Sequence, residues 1–433
     1  MERRLRYRLF LYVLLICSVT ALFICWLLLL WEQVPATIHI RAGVRQELDL
    51  NVPMTGIVYK AEKKEENVES AIPVSGMNAG YAEKSIPVDL GEHLTLYAEQ
   101  LESYTMDLKL FGLIPFKTVD VQVINDRMLK PAGIPIGIYV KTEGILVIAT
   151  GDFEGEDGQM KEPAGQLLEE GDYILMADGE KVEGKAAFMR RIAESGGEEM
   201  VLTILREDQK FDISVRPERN RNGEYKLGIW IRDNAQGVGT LTWLGENGSF
   251  GALGHGINDM DTATLMNLEE GSLYRTEIVS ITKGENGTPG ELTGVIDYRE
   301  GNRIGSIEAN TVEGIFGTLD ADVTEQLAMQ TMPIGLKQEV RQGKAQILCS
   351  VGGAPGLYEI EITGIHLDHD NINRGLEIRV TDEALLEATG GIVQGMSGAP
   401  ILQDGKFIGA VTHVLVNDPA RGYGIFIENM MQH

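Results

Sequence analysis

The sequence predicts a mainly β protein carried on one N-terminal membrane helix. Three observations point there. From Leu9 to Trp31 no residue is charged, a run long enough to cross a bilayer as a helix. After it, stretches such as "ATIHIRAG" and "RQELDLNVPMTGIVYK" alternate apolar and polar residues, the period of half-buried strands. From Tyr225 onward glycine becomes frequent and short alternating runs end in turns, as in sandwiches and barrels. The 433 residues leave room for two or three domains, and a hydrophobic share of 43% supplies packed cores. A net charge of −26 argues against nucleic acid as a partner.

Residues 1–36 form the first element, a cytoplasmic tail and signal-anchor. Arg3, Arg4, Arg6 and Arg8 precede the apolar run, which sets the N-terminus in the cytoplasm and the body of the chain beyond the membrane, attached through residues 9–31. A cleaved signal peptide is the competing reading. The run is long for its apolar core, and no A-x-A site follows in "LLLLWEQVPA". Cys17 and Cys25 lie inside the run, so Cys349 alone remains outside. No internal disulfide is available to the body, and Cys349 in "AQILCSV" reads as a buried strand residue. Residues 37–125 read as a small β-rich module, interrupted by a polar, aperiodic stretch, "AEKKEENVESAIPVSGMNAGYAEKS", that reads as a loop.

Residues 126–218 have a different grammar. "EGILVIATGDFEG" is a strand and turn. "EPAGQLLEEGDYILMADGEKV" holds a helical turn, a strand and an Asp178-Gly179 hairpin. "KAAFMRRIAES" has helical spacing, and "EMVLTILREDQKFDISV" closes as a hairpin. This block resembles a PDZ domain of the bacterial protease-associated kind, an α+β fold. The resemblance implies that an extended peptide end adds as a strand beside a helix. Ile136, Gly137 and Ile138 in "IPIGIYV" are the expected carboxylate loop, with Phe188 and Ile192 on the helix. An apolar-Gly-apolar run is equally the mark of a simple strand kink.

Residues 225–433 carry the chemistry. In "GIVQGMSGAPI" Ser397 stands between Gly395 and Gly398, just before an apolar strand. An ordinary surface turn is one reading. A serine nucleophile beside backbone N–H donors is the other. The stretch "GMSGAPILQDGKFIGAVTHV" resembles the nucleophile region of chymotrypsin-like serine peptidases, which implies a double β-barrel. "GTLTW…GALGHGINDMDT" and "TGGIVQGMSGAPI…GAVTHVLVNDPARGYGIFIENM" resemble the stage IV sporulation serine peptidase family, SpoIVB. The order of parts agrees across essentially the whole chain.

A serine hydroxyl needs a base. His39 and His93 lie in the β module, and His433 is the last residue. His366 and His369, near Asp368 and Asp370, lack the helical glutamate of a zinc motif, so no metal is expected. His413 lies on the strand after Ser397 and reads as a cleft wall. His255, between two glycines, is the base that the family resemblance implies. Asp382 matches the family's acidic position, which would orient His255. It also begins a helical segment, where an N-cap is an ordinary role. Asp259 and Asp261 are the fallback acids. The amides of Gly395 and Ser397 are the expected oxyanion donors.

The family resemblance implies a membrane-associated serine endopeptidase of sporulation. It would cut itself and a membrane-bound regulator of an intramembrane protease complex, and so activate a late mother-cell sigma factor. The catalytic domain would lie in the forespore intermembrane space, and no cofactor would be needed. Two rival readings are a PDZ adaptor on an inactive peptidase scaffold and an HtrA-like quality-control protease. HtrA-type chains place PDZ after the protease, the reverse of the order here.

Overall fold

The computed structural model describes residues 2–48, 50, 52–60, 86–91, 94–326, 330–367 and 371–432. The polar stretch 61–85, His93, the 368–370 segment and His433 lie outside them. The first element is a helix, Glu2–Gln33, of which Tyr7–Gln33 is long and apolar enough to cross a membrane. Its side chains stand exposed along most of that length. Only its last turns, at Trp26, Leu27 and Leu30, pack against the β module that follows.

That module is a five-stranded sheet. Its order is Thr37–Arg41, Ile114–Ile124, Ser103–Leu110, Met54–Lys60, Ile86–Asp89, and only its first pair is parallel. Alternation does what it should: Met106, Leu108 and Leu110 are buried and point to one face.

Two long strands organise the rest. Met128–Thr150 pairs antiparallel along its length with Ile229–Leu244. At its first half it also pairs with Leu268–Thr282. From there the ring runs through Ser249–Ala252, Gly314–Leu319 and Arg303–Thr311 and back to Leu268–Thr282. This closes a first barrel of six strands around Ile136, Ile138, Leu241, Phe250 and Ile307. At its second half Met128–Thr150 leaves the barrel and pairs with Tyr173–Ala177, which continues to Met200–Arg206 and Gln209–Val215. The helix Lys185–Glu194 packs on that sheet through Phe188 and Ile192.

The expected boundaries at 126, 218 and 225 fall outside the two long strands, yet each of those strands is shared between the expected units. The residues before Glu143 serve the barrel, although they were expected in the PDZ unit. Ile229–Arg232 pairs with the PDZ-side half of the long strand, although it was expected in the peptidase unit. The second barrel is closed by Gly343–Cys349, Gly356–Ile365, Leu376–Val380, Asp418–Phe426, Lys406–Leu415 and Pro400–Gln403. Cys349 is buried in its wall, as expected, and burial pushes its thiol up to about 12.

Candidate active site

The turn around Ser397 grows out of a short helix, Glu383–Thr389. That helix ends at Gly390 in the left-handed region, with its N–H on the Leu386 carbonyl. The chain then reaches Ser397 through a turn that glycine alone fits. Gly395 has φ +96° and Gly398 has φ +95°. A Cβ at Gly398 would also stand 2.3 Å from the Thr240 carbonyl oxygen. Thr240, from the first barrel, clamps the turn: its N–H donates to the Ser397 carbonyl at 3.1 Å and its hydroxyl to the Gly395 carbonyl at 2.7 Å. The amides of Gln394, Met396, Gly398 and Ala399 all donate within the fold. Among the described residues, those of Gly395 and Ser397 are the turn's uncommitted donors.

His255 follows the strand Ser249–Ala252 through Leu253 and Gly254, both at φ +70°. Its Nδ1 lies 2.9 Å from the Gly256 carbonyl oxygen. A carbonyl can only accept, so Nδ1 carries the proton and Nε2 keeps the lone pair. Burial holds the pKa of His255 below the ordinary histidine value, and the Gly256 carbonyl offsets part of that. The His413 ring lies against it, with centroids 5.0 Å apart. The enclosing cleft wall, His255 and Arg374 hold the pKa of His413 down, to about 4. Ser397, His255 and His413 line one cleft of about 480 Å³, whose apolar wall includes Val238, Ile392, Val393 and Val414. In this structure the Ser397 hydroxyl donates to the Thr412 carbonyl at 2.8 Å.

Asp382 is not on His255. It is the N-cap of Glu383–Thr389: one carboxylate oxygen accepts the Leu385 N–H at 3.0 Å and the other the Glu359 N–H at 3.2 Å. The bland expectation describes it, because two backbone donors already hold the carboxylate at the helix start. The fallback acids are also occupied. Asp259 is buried, and both it and Asp261 receive the Arg232 guanidinium. Burial acts to raise the Asp259 pKa, but the N–H groups of Thr262 and Asp261, with Arg232, bring it below the usual value. His366 meets Glu377 at 3.2 Å. Among the described residues no group of three or more His, Cys, Asp or Glu is placed to hold a metal ion.

The PDZ expectation needs relocating. Ile136, Gly137 and Ile138 lie in the barrel, where Gly137 pairs with Val238 and Tyr274. Ile136 and Ile138 are buried there, and Ile138 reaches the cleft. They cannot face the helix. A groove does lie between Lys185, Met189 and Ile192 of the helix and Ile229–Arg232, bordered by Leu227 and Gly228. Phe188 is sunk in the core beneath. The signal was in "KLGIWI", an apolar-Gly-apolar run like "IPIGIYV". It was missed because it follows the hairpins that were expected to close the unit.

Two six-stranded barrels, with a glycine-held serine from one and a histidine from the other meeting in their cleft, define a serine peptidase of the double-barrel class. Residues 223–431 match the SpoIVB peptidase S55 family. No curated protein matches the chain. Two solved structures are similar to parts of it. The PDZ domain of an SdrC-like protein from Listeria monocytogenes is 20% identical and covers 21% of this chain and 90% of that one, with a TM-score of 0.18. The HtrA-type protease AlgW with decapeptide is 11% identical and covers 69% of this chain and 62% of that one, with a TM-score of 0.27.

Proposed function

We propose that this chain is a membrane-anchored serine endopeptidase in which Ser397 is the nucleophile and His255 the base. The observation that carries the reading is that Ser397, His255 and Gly395 line one cleft, with Nδ1 of His255 held by the Gly256 carbonyl and the Gly395 and Ser397 amides uncommitted. To react, the hydroxyl turns from the Thr412 carbonyl to Nε2. Oγ attacks the scissile carbonyl carbon while its proton passes to Nε2. The carbonyl oxygen, now negative, is received by the amides of Gly395 and Ser397; one such donor is worth roughly 100- to 1000-fold in rate. His255 then protonates the leaving amine, and water releases the acyl group by the reverse use of the same base. The Gly256 carbonyl holds the Nδ1 proton, the task a carboxylate performs in the usual triad. Asp382 serves from the base of the helix that leads to the turn.

The family implies the biology: a sporulation protease facing the forespore intermembrane space, cutting itself and a membrane-bound regulator to release an intramembrane protease and a late sigma factor. The apolar helix supports membrane anchoring. The test is hydrolysis of an unfolded protein by the purified full-length chain and by its Ser397→Ala variant. Activity confined to the unaltered chain supports the reading. Equal activity in both overturns it.

A further inference from the structure

The PDZ groove and the catalytic cleft share one strand. Ile229 to Asn234 line the groove, and the next four residues, Ala235 to Val238, line the cleft. One loop flanks both: Asn258 borders the cleft and Asp261 the groove. Along Ile229–Leu244 one edge is paired with Met128–Thr150 on both sides of a break at Asp233, while the opposite edge is paired only from Leu241 onward, by Ser249–Ala252. Among the described residues, Ile229 to Gly239 thus presents an open strand edge that runs from one site to the other. An open edge is a template for an added strand.

The two ends of this edge differ. At one end stands Ser397. At the other, the Leu227 and Gly228 carbonyls are taken by the N–H groups of Ala164 and Gly151. Gly228 is at φ +72°. What that turn has left to offer is N–H, which suits a carboxylate. Exposed apolar side chains flank the route: Trp230, Met189 on the helix, and Met260 on the shared loop, which is 92% exposed.

We infer that one extended polypeptide occupies both sites at once, its free C-terminal carboxylate at Leu227–Gly228 and its scissile bond at Ser397. Resting on the peptidase reading above, this makes the enzyme a ruler that cuts at a set distance from a chain end. From Gly228 to Gly237 the strand advances about 30 Å, so the cut falls roughly ten residues before the C-terminus. One exposed contact lies across the route, where Asp233 accepts the Lys185 N–H at 2.8 Å. A bound chain replaces that exposed bond with its own.

The test uses the full-length chain in detergent and randomised synthetic peptides of about 25 residues, more than twice the edge length, as free acids and as C-terminal amides. Mass spectrometry reads the cut positions, and labelling by a fluorophosphonate reads the nucleophile independently. The expected result is cuts clustered about ten residues from the free carboxyl end, with amides cut about tenfold more slowly. Met189→Arg, on an exposed helix position, should scatter the positions. Normal labelling with cuts indifferent to the chain end overturns the ruler and leaves the peptidase reading standing. No labelling and no cuts overturns both.

Discussion

Burial favours the neutral form of His255, and in the proposed mechanism this sets the pH range in which Ser397 would react. Burial depresses its pKa, so the base form persists below the ordinary value of about 6.5. The acid limb of kcat/KM should therefore fall below that pH; a limb well above it would contradict the account. Ser397→Ala and His255→Ala should fail together, each by roughly a millionfold, because members of one unit are not additive. His413→Ala, which removes only a ring packed on His255, should keep substantial activity on the same peptide. Asp382 decides between two roles. As a cap it is replaced well by asparagine, so Asp382→Asn should retain most activity while Asp382→Ala loses about 1 kcal/mol of stability. As a triad acid, Asp382→Asn would cost about 10⁴-fold in kcat. That Ser397 and His255 would share a cleft was legible, from the glycines framing Ser397 and from the family resemblance for His255. The role of Asp382 was not, since an N-cap and a triad acid call for the same residue type.

The nucleophile turn is the element on which the site depends. Gly398→Ala forces a Cβ against the Thr240 carbonyl at a positive φ. It should abolish hydrolysis and lower the melting temperature, at a cost of about 1–3 kcal/mol. A fully active, equally stable variant would show that the turn tolerates a side chain there. Alternation made most strands readable, and the buried faces of Ser103–Leu110 and Gly343–Cys349 follow it. Domain limits were less readable. Hydrophobic period marks a strand but not its partners. The stretch "GIPIGIYVKTEGILVIAT" is one strand serving two sheets. The peptide groove was displaced for the same reason: its strand arrives after the unit's hairpins and runs on into the barrel.

At the scale of the whole molecule, the apolar N-terminal helix reaches the peptidase through the β module. Arg41, buried, grips Glu339 at 2.6 and 2.9 Å, and His39 meets Glu428 at 2.6 Å. Burial acts to raise the Glu339 pKa, but Arg41, the Leu336 N–H and Lys406 outweigh it and hold it to about 2. A carboxylate depressed from 4.5 to about 2 stabilises the fold above its ordinary pKa, and that stability is lost as pH falls through this window. Arg41→Met leaves the half-buried Glu339 with Lys406 and the Leu336 N–H as its remaining partners and should cost about 1–3 kcal/mol, seen as a lower melting temperature. An unchanged melting temperature would mean that the module is not docked through this pair. Everything else in the account presupposes an activated serine in the cleft. The most direct measurement is the site of covalent attachment when the full-length chain is treated with a fluorophosphonate and digested for mass spectrometry. The account predicts a single adduct on Ser397, lost in His255→Ala and kept in His413→Ala. An adduct on another serine, or none on a folded chain, would contradict it.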